Sequence, residues 1–562
     1  MFAHSTARRS RTARLGVLAV GAALLSFLAG CESAQPHPAA SGKPLPTDEQ
    51  QASPRPDPVT KSKPLPTVKQ QVVGMVPGAA LVEPPDLNTA TTGEVTAQLT
   101  AAQTEVMISG KKVLADTYNG SLVGPTLHVV PGQRVTLNLK NDLSTKTNLH
   151  FHGMHVSPMG TADNIMLTGQ PGKTLTYHLD IPANHAPGTY WYHDHQMCPG
   201  RTLNTRCRGT ESQIGAGLSG TIIVGDSRAS LPPAYRGITT HTLALKDTQI
   251  SKTGSIVYPD AVLEPADPTV RLVNGQYQPT LTVKAGETQM WRLANEGYAI
   301  VYDLQLDGGS FTVVGQDGIP STAPARATHL LLPPGRRLDV LVTAGASGST
   351  WLRTLAHVTG NLNDGGDSYP NTTLMKVNVQ SDGGSAGPTA TGRPTGMTAS
   401  PQIAGPLPGS EPDLSAEPIA QSRSIALSDD GGNNFWINGK LFDMKTPTFP
   451  KPATLGTVEE WTLTNITSGH DHPFHLHIAP FQVLSVNGVA QPPADYMDTV
   501  NVPHAVNKKA GKVVIRIRFT DFTGQWMFHC HITGHEDNGM MGYVNVIAVG
   551  SPDADIHPSH TA

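Results

Sequence analysis

The chain has 562 residues, more than one hydrophobic core usually covers, so its length predicts two or three domains. Its net charge of −4, from 40 basic and 44 acidic residues, argues against a nucleic-acid partner, which would require a basic surface. The 56 glycines, 47 prolines and an aromatic content of 5% are typical of many short strands joined by turns, and therefore of an all-β protein.

The N-terminus predicts export. Arginines at positions 8, 9, 11 and 14 precede an apolar run from Leu15 to Leu28, which is too short for a conventional membrane span and is typical of a signal peptide. The run ends in Leu-Ala-Gly-Cys, which resembles a bacterial lipoprotein box. We therefore expect residues 1–30 to be a lipoprotein signal peptide and Cys31 to be lipidated, anchoring the protein to the outer face of the cytoplasmic membrane. An ordinary signal peptide is the alternative, and the Arg8-Arg9 pair leaves twin-arginine export open beside the general secretory route.

The next segment, residues 31–85, is predicted to be a disordered tether. It is rich in Pro, Ser, Lys and Gln and nearly free of aromatic residues, so it can bury little apolar surface. Such a segment would hold the rest of the protein away from the membrane.

Beyond the tether the chain shows an internal repeat. Three Asn-Gly steps, at residues 119, 274 and 438, each precede a Pro-Thr-Leu or Ala-Thr-Leu segment and then alternating apolar runs. Alternation bounded by Gly, Pro and Asn is the pattern of β-sandwiches. The sequence therefore predicts three sandwich domains over residues 86–230, 231–381 and 421–550, with a Gly/Pro/Ser/Thr-rich linker over 382–420.

The segment His529-Cys530-His531 near the C-terminus predicts two neighbouring metal sites. On a strand, successive side chains point to opposite faces, so Cys530 faces away from both flanking histidines. A thiolate, an imidazole at His535 and a thioether at Met540 are the ligands of a blue-copper electron-transfer site. A second site on the other face would be joined to it by only a few covalent bonds.

Three further His-x-His pairs supply ligands for that second site. The i, i+2 spacing on extended backbone puts both imidazoles of a pair on one face, where they can converge on one metal cluster. One such pair alone is more often structural than metal-binding, but four pairs beside a cysteine reverse that expectation. The three pairs are His150/His152, His193/His195 and His475/His477, the last preceded by His472.

With these motifs in family order, the chain resembles the multicopper oxidases over about residues 90 to 550. The resemblance implies three cupredoxin-like domains and four copper ions per chain, one of type 1, one of type 2 and two of type 3. It assigns type 1 copper to His472, Cys530, His535 and Met540. It assigns type 2 copper to His150 and His475. The type 3 coppers fall to His152, His193, His195, His477, His529 and His531.

The middle domain is expected to hold no copper. Its alignment with the third domain places Tyr302, Gln305 and Asp307 where that domain has histidines. The copper sites are therefore expected in the third domain and at its interface with the first, with the second domain acting as a spacer and as part of the substrate surface.

The resemblance also implies a reaction and two acidic residues that serve it. A reducing substrate would give single electrons to the type 1 copper, Cys530 would pass them on, and four electrons would reduce O2 to water. Asp163 and Glu536 resemble the proton-relay carboxylates of the family on the type 2 and type 3 sides respectively. Asp498 is expected to contact the substrate.

Cys198 and Cys207 lie just after the second copper motif. Outside the cytoplasm a spare pair most often forms a disulfide, which we favour. Copper capture by Met197, Cys198 and Cys207 is the alternative.

The sequence favours a laccase-type oxidase of phenols or aromatic amines, acting as a monomer. The 15 methionines are dispersed, without the Met-rich insert that cuprous oxidases of the family often carry, so oxidation of Cu(I) is the second choice. Methionines that could still contact Cu(I) are Met154, Met159, Met166, Met197 and Met497, for most of which ordinary packing is the competing role. Less favoured are a copper nitrite reductase-like enzyme, which needs fewer histidines, and a copper-free structural relative, which would have lost Cys530 or several histidines.

Overall fold

The computed structural model describes residues 75–88, 93–197, 209–251, 254–257, 269–381, 396–431, 434–492 and 495–551. The predicted signal peptide, Cys31, most of the tether, Cys198, Cys207 and the first part of the linker lie outside these residues. Regular structure is nearly all β-strand, which confirms the all-β prediction. No helix among the described residues combines the length and the apolar character needed to span a bilayer.

The first sandwich consists of β1 (Glu94–Ile108), β2 (Lys111–Tyr118), β3 (Gly124–Val129), β4 (Arg134–Asn141), β5 (His150–His152), β6 (Thr174–Asp180), β7 (Gly188–His193) and β8 (Ser219–Val224). One sheet has the order β2-β1-β4-β6 and the other the order β3-β8-β7-β5. In β4, Val135, Leu137 and Leu139 are buried and alternate with more exposed residues, as expected for a strand with one face on the core.

The second sandwich consists of β9 (Thr240–Ile250), β10 (Ile256–Val257), β11 (Thr269–Val273), β12 (Thr280–Lys284), β13 (Thr288–Asn295), β14 (Tyr302–Leu306), β15 (Phe311–Gln316), β16 (Ile319–Ala327), β17 (His329–Leu332), β18 (Arg337–Ala344), β19 (Gly348–Thr354), β20 (His357–Val358), β21 (Ser368–Tyr369), β22 (Thr372–Gln380) and β23 (Met397–Thr398). Its larger sheet runs β10-β9-β13-β18-β15-β16, with β11 on β9 and β23 on β18. The facing sheet runs β12-β22-β19-β14-β17, and β20 pairs with β21 in a separate hairpin.

The third sandwich consists of β24 (Ile419–Asp429), β25 (Phe435–Ile437), β26 (Ala453–Thr454), β27 (Val458–Asn465), β28 (His472–Leu476), β29 (Phe481–Val486), β30 (Val489–Ala490), β31 (Tyr496–Met497), β32 (Thr499–Val502), β33 (Gly511–Arg518), β34 (Gly524–Cys530) and β35 (Met541–Ile547). One sheet runs β25-β24-β27-β33-β29-β30, with β31 on β29, and the other runs β26-β35-β34-β28-β32. Trp461, Phe474 and Phe528 are fully buried between the sheets, and burial of each such side chain contributes about 1.5–3 kcal/mol.

Two short α-helices join the first and third sandwiches. They are α1 (Thr210–Ala216) and α2 (Thr533–Asp537), and further turns are 3-10 helices at Ser227–Ser230, Pro233–Tyr235 and Leu362–Asp364. The Asp537 carboxylate accepts hydrogen bonds from the backbone N–H groups of Thr210, at 3.1 Å, and of Glu211, at 2.9 Å. The end of α2 therefore caps the start of α1.

The Asn-Gly repeat has the same structure in all three sandwiches. Asn119, Asn274 and Asn438 have φ of 54°, 52° and 53°, in the left-handed region that Asn and Gly tolerate. Each Asn side-chain oxygen also accepts a hydrogen bond from a backbone N–H of a long strand in its sandwich. The donors are Thr100, Ala244 and Ala426, at 2.7, 2.8 and 2.8 Å.

Two predicted flexible segments are partly ordered. Residues 75–85 were expected in the tether, but Val76 N donates to Ser109 O at 2.7 Å and Leu81 N to Thr280 O at 2.9 Å, so the prediction is wrong for this stretch. In the predicted linker, Ile403, Leu407 and Leu414 are buried in small apolar clusters with residues of the neighbouring sandwiches. Both stretches contain enough apolar residues to pack against the sandwiches. Their high Pro and Gly content had predicted flexible segments instead.

Candidate metal centres

The cysteine site consists of His472, Cys530 and His535, all in the third sandwich, and the predicted fourth ligand, Met540, is buried in the same core. The Cys530 sulfur lies 3.6 Å from His472 Nδ1 and 3.5 Å from His535 Nδ1, and these two nitrogens are 3.2 Å apart. His472, Cys530 and Met540 are 0% exposed and His535 is 7% exposed. The sulfur and the two imidazole nitrogens therefore point at one small volume inside the protein.

The local fold explains this convergence. His472 opens β28 and Cys530 ends the adjacent strand β34, where Phe474 pairs with Cys530. The chain then turns through α2, which brings His535 back over the cysteine, and Cys530 N donates to Met540 O at 3.1 Å. Burial raises the pKa of the Cys530 thiol, so a thiolate in this place requires a bound cation.

The histidine cluster lies between the first and third sandwiches. Its eight members are 0–2% exposed and are contributed equally by the two sandwiches: His150, His152, His193, His195, His475, His477, His529 and His531. One group, His195, His477 and His529, has its nitrogens within 4.8 Å of one another. Other such groups join His150 with His475 and His477, and with His152 and His193. In addition His152 Nδ1 lies 3.1 Å from His531 Nε2.

Strand pairing sets the cluster. His150 is opposite His193 on β5 and β7, and His475 is opposite His529 on β28 and β34. Because the i, i+2 residues share a face, each pair projects into the same interface. The intervening Cys530 points to the other side, into the core of the third sandwich, so the cysteine site and the histidine cluster are adjacent in the covalent chain.

The hydrogen bonds of the cluster leave one nitrogen of several rings free. His150 Nδ1 contacts Asp163 Oδ1 at 2.9 Å, His193 Nδ1 contacts Asp194 O at 2.8 Å, and His475 Nδ1 contacts Asp498 O at 2.9 Å. The Nε2 atoms of the same three rings are buried without a hydrogen-bond partner. A metal-bound imidazole usually has this arrangement: one ring nitrogen donates its N–H to an acceptor outside the site, and the other points inward with its lone pair available to the metal.

Charge also favours a metal in the cluster. Burial lowers the pKa values of His150, His152 and His477 well below the usual range, and the neighbouring imidazoles lower them further. The rings are therefore neutral, with lone pairs available for a borderline cation such as copper. The residues present fit copper at both the cysteine site and the histidine cluster.

Two predicted proton-relay carboxylates lie against the cluster. Asp163 accepts from Phe151 N at 2.9 Å as well as from His150, and burial raises its pKa to about 8. Glu536 Oε2 lies 3.0 Å from His529 Nδ1 and its Oε1 lies 3.3 Å from His195 Nδ1. Burial would raise the pKa of Glu536, but His195 and His529 outweigh it and lower the value to about 2.

The expected substrate contact at Asp498 is wrong. Asp498 is 2% exposed, and its carboxylate lies 2.7 and 2.6 Å from the guanidinium of Arg337 and 3.2 Å from His152 Nε2. Burial would raise the pKa of Asp498, but Arg337 lowers it well below its usual range. Asp498 is thus a buried neighbour of the histidine cluster and does not face a substrate.

Most of the methionines named as possible Cu(I) contacts pack against other side chains, which is the role favoured for most of them from the sequence. Met154 is buried in the first core, and the Met497 sulfur accepts a hydrogen bond from Arg336 at 2.7 Å, so neither is positioned to contact a surface ion. Met159 is 36% exposed. Met166 and Met197 pack with two methionines that the sequence analysis did not consider, Met527 and Met541.

Other neighbours of the sites could not be identified from sequence. Asp429 Oδ2 lies 3.7 Å from His472 Nε2, on the outer side of the cysteine site. Arg337 and Gly335 come from the middle sandwich, which was expected to act as a spacer and as part of the substrate surface. No motif marks them, because their partners are remote in the chain. The metal-binding groups found among the described residues are made of residues from the first and third sandwiches.

Comparisons with known proteins agree with this geometry. Three profiles described as multicopper oxidase match residues 100–229, 239–378 and 418–548. The multicopper oxidase mco of Staphylococcus aureus is 28% identical over 437 residues, covering 76% of this chain and 83% of that protein. A laccase of Bacillus subtilis is 27% identical over 497 residues, covering 75% and 88%. The cell division protein FtsP of Xenorhabdus nematophila is 28% identical over 453 residues, covering 77% and 85%.

Solved structures share the fold. A multicopper oxidase from Campylobacter jejuni, described as a metallo-oxidase, has a TM-score of 0.68 at 25% identity and covers 84% of this chain and 96% of its own. McoA from Aquifex aeolicus has a TM-score of 0.66 at 24% identity, with coverages of 84% and 100%. The three sandwiches are therefore cupredoxin-like domains, as predicted. With matching profiles over more than half of its length, the chain belongs to the multicopper oxidase family and is a copper-dependent oxidoreductase that uses O2.

Proposed function

We propose that the protein is a laccase-like oxidase that removes single electrons from phenols or aromatic amines and uses them to reduce O2 to water. The observation that carries this proposal is the position of Cys530. It belongs to the cysteine site, while its two chain neighbours, His529 and His531, belong to the histidine cluster. A substrate oxidised at one site is thereby connected to O2 at the other.

We further propose four coppers per chain. One would be held by His472, Cys530 and His535 with Met540 as a weaker fourth ligand, and a second by His150 and His475. The remaining two would be held by His152, His193, His195, His477, His529 and His531. When bound, copper supplies one-electron redox chemistry at the cysteine site and a place for O2 at the histidine cluster.

The chain's own residues would then manage protons and water. Asp163, on His150, can hold a proton near neutral pH because burial raises its pKa to about 8. Glu536 connects His195 and His529 to Thr210, whose hydroxyl donates to Glu536 Oε1 at 3.2 Å. Two carboxylates with opposite pKa shifts on opposite sides of the cluster suit separate steps of proton delivery.

The proposed substrate surface lies at His535, the most exposed member of the cysteine site. Phe435 stacks on the His535 ring, with centroids 3.9 Å apart, and the His470 ring lies at 5.0 Å. Leu441, 51% exposed, contacts the adjacent turn at Gly539. A largely apolar rim around an imidazole edge suits an aromatic ring better than a hydrated ion.

Oxidation of Cu(I) is the second candidate. Met166, Met197, Met527 and Met541 pack in one cluster, and thioethers are soft ligands that suit Cu(I). Because Met527 and His529 are two residues apart on β34, this cluster lies on the face of the histidine cluster and not beside His535. We therefore rank it second.

Two other classes remain weaker. The FtsP relative is named as a cell division protein, and that name suggests a structural role as one alternative. This chain retains Cys530 and every predicted histidine ligand in converging positions, which favours copper chemistry. A nitrite reductase-like enzyme would not require all eight histidines of the cluster.

The predicted setting of the enzyme stays a proposal. We propose domain boundaries near 86–230, 231–381 and 421–550, and a protein that is exported, acts as a monomer and is lipidated at Cys31. A Cys198–Cys207 disulfide belongs to the same proposal.

Purified protein tests the function. We expect four coppers per chain, a blue thiolate-to-copper absorption band, and faster turnover of a phenol than of Cu(I) with O2 consumption as the readout. Faster turnover of Cu(I) would favour the second candidate. Absence of copper after reconstitution would contradict both and leave the copper-free class.

A further inference from the structure

The middle sandwich, none of whose described residues belongs to a metal-binding group, forms part of the wall of the histidine cluster. A Cβ atom added at Gly335 would lie 2.8 Å from His531 Cδ2 and 2.9 Å from His152 Cε1, so its backbone packs directly on two rings. The φ of Gly335 is +85°, which only glycine adopts without strain. Residues 335–337 thus bring the middle sandwich into contact with the metal-binding rings.

Arg337 continues this wall and joins all three sandwiches. Its guanidinium donates to both carboxylate oxygens of Asp498 in the third sandwich, at 2.7 and 2.6 Å, and to Thr189 O in the first, at 3.1 Å. Its backbone N–H donates to Asp317 Oδ1 at 2.8 Å. Arg337 is 1% exposed, and Gly153, next to His152, leaves the space that its guanidinium fills.

Asp498 transmits this contact to two rings of the cluster. Its Oδ1 lies 3.2 Å from His152 Nε2, and its backbone oxygen lies 2.9 Å from His475 Nδ1. Thr499 Oγ1 donates to Asp498 Oδ1 at 2.9 Å and lies 3.2 Å from His475 Nδ1. The carboxylate therefore has fixed partners on both oxygens.

These contacts determine which nitrogen of His152 and of His475 carries the lone pair and can bind a metal. An ionised carboxylate can only accept, so His152 must donate from Nε2 and keep its lone pair on Nδ1, the atom 3.1 Å from His531 Nε2. The His475 N–H is likewise committed to Asp498 O, which leaves its unpaired Nε2 for the cluster. His152 thus has the opposite tautomer from His150 and His475.

We propose that Arg337 is a positioning residue for the copper cluster: by orienting Asp498 it fixes the tautomer and direction of His152 and places His475. This inference rests on the proposed copper function. Arginine suits the role because its planar fork engages both carboxylate oxygens, whereas a lysine offers a single point charge.

The test compares Arg337→Met and Asp498→Asn with the wild type. Loss of a carboxylate partner of a metal-bound histidine typically costs roughly 10–100-fold in metal affinity or activity. We expect that loss of copper affinity in the histidine cluster, measured by chelator competition, and an altered electron paramagnetic resonance signal of the copper at His150 and His475. The blue absorption should not change, because the guanidinium of Arg337 bonds to or packs on residues outside the cysteine site, namely Asp498, Thr189, Gly335, Asp317 and Tyr190.

Arg336→Met is the matched control. Arg336 is also buried at this interface, but it donates to Met497 Sδ and Thr499 O, at 2.7 and 2.9 Å, and not to the Asp498 carboxylate. Its replacement removes an interface guanidinium and leaves the His152 acceptor in place. An equal loss of cluster copper in Arg336→Met would overturn the proposal in favour of general domain packing.

A double variant separates positioning from stability. Arg337→Met with Asp498→Leu removes both buried charges, so it should recover thermal stability lost in Arg337→Met. It still lacks the acceptor for His152, so cluster copper affinity should stay low. If the double variant recovers the wild-type copper affinity and resonance signal, the proposal is overturned. If neither variant that carries Arg337→Met folds, Asp498→Asn decides, and wild-type copper affinity and resonance signal in that variant would overturn the proposal. A wild type that binds no copper would instead refute the proposed function.

Discussion

The two candidate metal centres differ in how many parts of the fold they require. The cysteine site is built within the third sandwich, from two adjacent strands and the turn through α2. The histidine cluster needs ligands from the first and third sandwiches and a wall from the middle one, through Gly335 and Arg337. A local site can follow from a short motif, whereas a shared site depends on how the domains pack.

Removal of the cysteine is the strongest test of this division. Cys530→Ser should abolish the blue absorption and the turnover, because no thiolate remains, while the histidine cluster keeps its three coppers. Copper analysis and absorption spectroscopy measure both effects. An intensely blue Cys530→Ser protein would contradict the assignment of Cys530 as the thiolate ligand of the blue copper.

A proton-relay variant should act on the cluster side alone. Asp163→Asn keeps an oxygen that can accept from Phe151 N and His150 Nδ1 but cannot carry a proton, so turnover measured at saturating copper should fall by roughly 10²–10⁴-fold. Steady-state O2 consumption and copper content measure this. Asp142→Asn, a surface carboxylate paired with Lys140, is the control, and an equal fall in both variants would count against Asp163.

Copper removal should affect the domain interface. Because the cluster bridges two sandwiches, copper at about 1,000 times its dissociation constant would stabilise the folded protein by about 4 kcal/mol. Thermal unfolding before and after chelation measures the difference. Cys530→Ser should retain most of it, and equal stability of copper-free and copper-loaded wild type would contradict a bridging cluster.

The smallest effect is expected inside the cysteine site. Met540→Leu should keep the blue colour, since an axial thioether is a weak, long ligand, and should raise the reduction potential by removing its electron donation. A redox titration monitored at the blue band decides this. A potential that is unchanged or lower would argue against Met540 as the axial ligand.

Sequence alone predicted what strand parity and local spacing determine. The separation of Cys530 from His529 and His531, the His-x-His pairs and the Asn-Gly repeat all follow from alternation along a strand or from a left-handed turn. The all-β prediction rested on composition and the same alternation, and the multicopper oxidase family rested on the resemblance of the copper motifs; both are confirmed.

Contacts between distant segments could not be predicted in this way. Asp498 was expected to contact the substrate, because nothing in the sequence reveals its ion pair with Arg337, 161 residues away in the chain. Arg337 itself stands in a Pro-Gly-Arg-Arg turn that carries no metal motif. The methionine cluster is similar, since Met166, Met197, Met527 and Met541 meet only after the first and third sandwiches pack.

The most direct test of the coupled centres is the ratio of phenol oxidised to O2 consumed by the wild-type enzyme, with hydrogen peroxide assayed in the same vessel. Because Cys530 joins the cysteine site to the histidine cluster, four one-electron oxidations should accompany each O2, with water as the product. Two oxidations per O2 with stoichiometric peroxide would contradict the proposed four-electron centre.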